Sequence, residues 1–315
     1  MGEIENREDT INAILVQAYK LFVVGAFPKA ISVIEEALSI NFEHKEVVSA
    51  LKCANFWNER VKRLDIIKGD LEKGEYLLNQ WKTFAIFLER VKDVFEQCIY
   101  AVRQFVFEQA LLHYRNVLEE TGSPDAEILF QLGRCYKGKG DYERALEFLE
   151  ASNHQKMDDP EILAELADCY ALINEIKASK IFFREAFFIN PQRIDITSLE
   201  SLFIQRLIDN LKKMGFSSPE LEEWIPVYGV IWGVFNIKRE LKPLEYGKLK
   251  QSIYSMEMEI EEKAEKSPFL IPRLLNRYFR LIDHYIATKD ERSRIDEVLM
   301  KIKKIDSSLY AKYIN

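Results

Sequence analysis

The sequence has few of the residues that make turns: only 12 glycines and 9 prolines in 315 residues. A chain so short of breakers is expected to run in long helices, so the class is α. Long apolar runs are also missing. The longest, Ile225 to Phe235 (IPVYGVIWGVF), is too short to span a bilayer and is interrupted by Pro226, Gly229 and Gly233, so it reads as a core segment. There is no surplus of positive charge either, since the formal net charge is -7 and the pI is near 5.4. This argues against a general nucleic-acid binder, whose affinity comes from neutralising phosphates with excess Lys and Arg, and leaves room only for a local basic patch. The four cysteines, Cys53, Cys98, Cys135 and Cys169, lie far apart within apolar helical patterns. Without the spacing of a disulfide framework or a zinc site, they read as reduced, buried thiols. The N-terminal MGEIENREDT lacks the basic-then-apolar build of a secretory signal. The expected compartment is the cytoplasm, or the periplasm where a signal has been removed.

Catalytic motifs are missing as well. There is no phosphate-cradling glycine loop, no HExxH and no glycine-flanked serine nucleophile. His44, His113, His154 and His284 are each isolated from other good ligands, so no metal and no cofactor is expected. The acidic run Glu257, Glu259, Glu261 and Glu262 reads as a solvated helix face, because catalytic carboxylates need an enclosed cleft that separates their pKa values. A catalytic centre around Asp283, His284 and Tyr285 would need a concave polar cluster that the sequence does not predict. A non-enzymatic protein is expected.

What the sequence does contain is an internal repeat, with two segments matching at an offset of 34 residues. In the first, QLGRCYKGKGDYERALEFL, the pattern runs through Leu129, Leu132, Gly133, Tyr136, Gly140, Tyr142, Ala145 and Leu149. In the second, Leu163, Leu166, Ala167, Tyr170, Phe183, Ala186 and Pro191 hold the corresponding places, with Asn174 for the turn glycine and Ser179 for the small residue. Leu132 and Tyr136 share a helical face, and Gly133 lets a second helix come close. Each unit is therefore a helical hairpin that must stack on neighbours to bury both faces. A further unit lies at the N-terminus (Ala18, Leu21, Gly25, Phe27, Ala30, Ile34, Ala37). A degenerate one, with the turn FVF, is expected between Val91 and Thr121. Residues Glu43 to Arg90 read as a divergent hairpin, its reversal marked by Gly69 and Gly74.

These segments resemble the tetratricopeptide repeat (TPR) family, specifically over Pro124 to Pro191, fairly at the N-terminus and weakly elsewhere. The resemblance implies an all-α fold: a right-handed superhelix of TPR-like helical hairpins with a concave partner-binding face and a divergent helical C-terminal extension. The expected organisation is an N-terminal TPR and divergent hairpin over 1–90, a core TPR array over 91–191 and a non-consensus helical region over 192–315. In that last region a helix is expected after Pro191, then an amphipathic helix from about Pro243 to Lys266. A terminal cap, Pro268 to Thr288 with Arg292 to Lys304, would close it. The arrangement, with the strings FWNERVKRLD and IPVYGVIWGVFNIKREL, is also loosely similar to spirochaete TPR proteins that scaffold the flagellar motor collar.

In the TPR pattern, residues two, five, nine and twelve places into the first helix of each hairpin line the inner groove. Carried over residue by residue, this nominates Lys92, Phe95 and Val102, then Phe130, Arg134 and Lys137, then Glu161 and Asp168, with Arg103 adjoining. Cations flanking two aromatic rings suit an acidic peptide or helix of another protein; ordinary surface cations paired with local acids are the alternative. The carboxylate clamp of chaperone-binding members is absent, its places being held by Leu15 and Tyr19, Phe130 and Arg134, and Ala164 and Asp168. Trp224, Tyr228, Trp232 and Phe235 form either an apolar docking surface or a corner of the core. The function implied is a scaffold or adaptor that assembles a protein complex, with a collar component or a ligand-responsive sensor as alternatives. No nucleic-acid partner and no transmembrane segment are expected, and self-association stays open.

Overall fold

A computed structural model describes residues 2–91, 93–122, 125–262 and 267–314, with side chains from residue 7 onward. Among the described residues there are fifteen α-helices, one short 3-10 turn and no strand. The chain divides into two compact units, Met1–Ser152 and Asn153–Asn315.

The first unit runs through α1 (Gly2–Val23), α2 (Phe27–Ile40), α3 (Lys45–Leu64), α4 (Asp70–Leu88), α5 (Glu96–Thr121), α6 (Ala126–Lys139) and most of α7 (Tyr142–Gln155). Apolar spacing sets which face each helix turns inward. On α1 the buried stripe is Ile11, Leu15, Ala18 and Phe22; on α2 it is Phe27, Ala30, Ile34 and Ala37. The small alanines let successive helices close up. Between α1 and α2 the chain reverses at Gly25, whose φ of +72° a side-chain-bearing residue would adopt only with strain. The next reversal, between α3 and α4, falls just before Gly69; Gly74 lies inside α4 and is buried, so it marks a close contact and not a turn.

The degenerate repeat expected between Val91 and Thr121 is not a hairpin. Residues Glu96–Thr121 form one unbroken helix of 26 residues through Phe105, Val106 and Phe107, all buried. Nothing in RQFVFEQ supplies a positive φ or removes a backbone donor, so the helix continues. It packs against α1, α4 and α6. Phe105 and Phe107, two residues apart, point to opposite sides of the helix. Three rings of α5 each land on a glycine of a neighbouring element: Phe105 on Gly25, Phe107 on Gly138 of α6 and Tyr114 on Gly74 of α4. At each glycine a Cβ would overlap the ring.

Helices α6 and α7 are antiparallel. Gly133 meets Leu149, the Ser152 hydroxyl donates to the Ala126 carbonyl at 2.7 Å, and Tyr136 stacks on Phe148.

The second unit contains α8 (Pro160–Leu172), α9 (Ile176–Ile189), a 3-10 turn at Pro191–Arg193, α10 (Leu202–Lys213), α11 (Glu220–Ile231), α12 (Pro243–Glu262), α13 (Leu270–Ala287), α14 (Arg292–Ile305) and α15 (Ser307–Ile314). Helix α13 is central, contacting α11, α12 and α14, and it carries Leu274, Leu275, Phe279 and Ile282 into the core. Its polar stripe, Asn276, Arg280 and Asp283, faces α9. There the Arg184 guanidinium, 1% exposed, donates to Asn276 and Asp283 at 3.0 Å each, and Arg280 pairs with Glu185. Burial lowers the Arg184 pKa and raises that of Asp283, so desolvation works against both charges while their mutual attraction holds them.

Candidate protein-interaction surfaces

The first unit carries an open cleft between α1 and α5. Its walls are Val16, Tyr19, Lys20 and Val23 from α1 and Glu96, Gln97, Tyr100 and Ala101 from α5, and its volume is about 540 Å³. Three apolar walls are exposed, Val16 at 50%, Val23 at 43% and Tyr100 at 63%. Tyr19 is fixed from behind by a 2.7 Å bond to Glu46, and burial together with that carboxylate raises its phenol pKa. A second hollow of about 580 Å³ shares Val16, Glu96 and Gln97 and extends to Phe95, half-buried at the start of α5. Of the nominated groove residues, Phe95 is thus the one that borders this space. Val16, Val23 and Tyr100 escaped the sequence reading. The signal is a second apolar stripe on α1: Val16, Tyr19 and Val23 stand at i, i+3 and i+7, offset from the core stripe.

The other nominated positions do not form an open cationic strip. Lys92 lies outside the described residues, and Val102 is buried in α5. Arg103 donates through Nε to the Gly138 carbonyl and through Nη2 to that of Lys137 at 3.4 Å, while Gln104 donates to Lys139 at 3.4 Å. These two side chains bind carbonyls of the last turn of α6, where the helix runs out of its own donors; the Lys137 carbonyl also accepts the Gly140 amide at 2.9 Å. Phe130 is buried, Lys137 is only 3% exposed, and half-buried Arg134 lies over the Phe130 ring at 5.6 Å. The helix facing α5 buries more of its surface than an isolated hairpin pattern implies. In the second unit Asp168 is fully buried and accepts the backbone amides of Glu200 and Ser201 at 2.7 and 2.9 Å. It holds the chain leading into α10. Glu161 is within 3.5 Å of Arg193.

The aromatic segment of the second unit is mostly core. Tyr228 and Phe235 are buried, and Phe235 folds back onto Gly229, its amide bonding the Gly229 carbonyl at 2.8 Å. Trp224 is half-buried, and Trp232, 39% exposed, reaches the surface. Asp283 and His284, raised as an enzyme centre, are both engaged: Asp283 by Arg184, and the His284 Nδ1 by the Leu241 amide at 3.1 Å.

All four cysteines are free and buried, and burial pushes the Cys135 thiol up to about 12. Among the described residues no cluster of His, Cys, Asp and Glu has metal-site geometry, and no helix is long and apolar enough to cross a membrane.

The 34-residue step recurs in atomic detail. Asp125 caps α6 by accepting the Ile128 amide at 2.8 Å, and Asp159 caps α8 by accepting the Glu161 amide at 3.0 Å. Tyr136 stacks on Phe148 with centroids 5.3 Å apart, and Tyr170 on Phe182 at 5.4 Å, both at 12°. Gly140 ends α6 with φ of +85°, and Asn174, among the side chains that best tolerate this region, follows α8 with φ of +67°. The family described as tetratricopeptide repeat matches residues 102–164. The chain carries tetratricopeptide repeats. The match begins at residue 102, so it takes in most of α5 together with α6, α7 and the start of α8. TPR repeats in general mediate protein-protein interaction and complex assembly, and the family is typically non-enzymatic. Among curated proteins, none matches the sequence.

Proposed function

We propose that this TPR protein is a non-enzymatic scaffold or adaptor whose α1–α5 cleft receives the apolar face of a helix from another protein. The observation that carries this is the exposed apolar wall of Val16, Val23 and Tyr100 inside a repeat array. Solvent contact at three such side chains is unfavourable, and an amphipathic helix would cover them with residues spaced i, i+3 and i+7. The cleft's charges, Lys20 and Glu96, are of opposite sign, so shape and apolar contact dominate selection. Arg103 bonds carbonyls of α6 and Lys137 is buried, which favours an apolar partner over an acidic one.

The test is quantitative capture from extract of the native source with Val16→Asp/Tyr100→Glu beside wild type. Both positions are exposed, so the thermal midpoint should stay close to wild type, while the amount of specifically captured partner falls roughly tenfold. Undiminished capture by the variant would reject the cleft as the interface.

A further inference from the structure

The second unit contains a cavity of about 310 Å³ bounded by α9, α12, α13 and the segment leading into α12. Its volume is at the lower end of small-ligand sites. Four of its walls are cationic, Arg239, Lys248, Arg277 and Arg280, against three carboxylates, Asp158, Glu185 and Glu245. Two of the carboxylates are paired, Glu185 with Arg280 and Arg239 and Glu245 with Arg239 at 2.6 Å, and the third, Asp158, is exposed. One positive charge is left over.

Of the two cations outside those pairs, Lys248 is exposed and Arg277 is half-buried, so Arg277 is the one the cavity encloses. Its Nε donates to the Ser252 hydroxyl at 2.6 Å and its Nη1 to the Arg273 carbonyl at 3.2 Å, both neutral oxygens. No carboxylate among the described residues pairs with it, and Nη2 has no acceptor among them. Burial lowers its pKa, and the neighbouring charge of Arg273 adds to that effect. The Glu223 carboxylate attracts it from a distance but is itself paired with Arg273, so the half-buried guanidinium has no carboxylate of its own, and an anion in the cavity would relieve that cost. Ser252, accepting from Arg277, keeps its own proton to donate. A second sign of an unfilled polar site is Arg280, which is 3% exposed, lines the cavity, and has a buried Nε without an acceptor among the described residues. The remaining walls are apolar: Phe188, under the guanidinium of Arg280 at 4.9 Å and beside that of Arg277 at 5.9 Å, with Ile189, Leu241 and Leu249.

We propose that this cavity binds a free small organic monoanion, a carboxylate on a compact apolar body, with Arg277 and Ser252 holding the carboxylate and Phe188 and Leu249 enclosing the body. A single surplus positive charge matches one carboxylate better than doubly charged phosphate, and the apolar walls would be wasted on an inorganic ion. Lys248, at the exposed rim, adds long-range attraction. The site is independent of the α1–α5 cleft and of the scaffold reading.

The full-length chain is titrated calorimetrically with phenylacetate, phenethylamine and inorganic phosphate at matched ionic strength. Saturable one-to-one binding of phenylacetate is expected, with none of phenethylamine and at least roughly tenfold weaker binding of phosphate. Arg277→Gln should weaken phenylacetate binding roughly tenfold while leaving the unliganded thermal midpoint equal to wild type or higher, since an uncompensated charge is removed. A structural role for Arg277 predicts the reverse pattern, a lowered midpoint with unchanged binding, and would overturn the proposal. Lys248→Gln, on an exposed side chain, should weaken binding about threefold and keeps the test decisive if the first variant fails to fold. Absence of phenylacetate binding, equal binding of phosphate, or tighter binding of the capped peptide acetyl-Phe-Asp-Phe-amide than of phenylacetate would each overturn the assignment to a small free acid.

Discussion

In the first unit the central helix, α5, meets its neighbours ring against glycine. In the second unit the central helix, α13, meets α9 through ions. Among the described residues the first unit fully buries one charged side chain of the Lys, Arg, Asp and Glu type, Lys137. The second buries eight: Asp159, Glu165, Asp168, Arg184, Glu222, Glu223, Arg280 and Asp283. Glycine contacts show the opposite bias. Gly25, Gly74, Gly133 and Gly138 all admit a partner's side chain in the first unit, whereas Gly229 is the counterpart in the second. Close helix approach builds a core from dispersion and area, about 25 cal/mol per Å² of apolar surface removed from water. An ionic seam adds little net stability after desolvation, but it penalises every arrangement that leaves a charge unpaired. Close packing of rings and small residues dominates the contacts of the first unit, whereas the second adds buried pairs between particular charged residues.

The largest expected effect lies in the ionic seam. Arg184→Met leaves the Asp283 carboxylate buried without its cation and should cost roughly 3–5 kcal/mol in denaturant unfolding. Arg184→Met/Asp283→Leu should recover most of that loss. A double variant as unstable as the single one would mean that packing, not charge pairing, holds α9 to α13.

Next is a pair of alanine substitutions, one in each unit. Gly138→Ala places a Cβ into the Phe107 ring, and the cost of overpacking, about 1–3 kcal/mol, should exceed the gain in helix propensity of about 1 kcal/mol. Gly247→Ala in α12 meets no atom within 4 Å and should therefore stabilise by about 0.5–1 kcal/mol. Equal thermal midpoints for the two variants would remove the ring-on-glycine account of the first unit.

The smallest effect concerns an exception in the first unit, the contact of Asp70 with His113 and Asn116 that ties the start of α4 to α5. The bond from His113 holds the Asp70 pKa below its ordinary value. A carboxyl depressed in the folded state contributes stability that is fully present above its unfolded pKa, about 3.9, and is lost as pH falls through the folded value. Asp70→Asn should therefore lower the thermal midpoint modestly at neutral pH, the difference from wild type closing as the pH is taken below that range. A gap that persists in acid would assign the effect to geometry instead of charge.

Most of the fold was legible because its signals are local. The 34-residue step placed α6 to α9, the stripe Phe27, Ala30, Ile34 and Ala37 placed α2, and apolar spacing placed α12, α13 and α14 near their observed bounds. Helix α5 departs from the expected hairpin because the repeat positions of that stretch are filled by suitable side chains while no residue in it can turn the chain. The surface was less legible, since exposure is a property of the assembled unit. Lys137 and Asp168 have the charge of surface residues and are buried, while Tyr100 and Val16 look like core and stand in solvent. Arg103 could be placed beside the groove from its position, but its engagement with the end of α6 depends on a contact 35 residues away.

The unbroken course of α5 also limits how this chain can change length. Hairpin repeats joined by loops accept insertions at their joints, where an added residue alters only the linker. Within α5 each added or deleted residue turns everything beyond it by about 100°. For a change between Phe105 and Phe107, Phe105 would still find Gly25, while Phe107 and Tyr114 would swing away from Gly138 and Gly74. The helix therefore works as a gauge block between two halves of the unit: substitutions along it can be absorbed one at a time, but a single-codon insertion or deletion would have to be compensated at several contacts together.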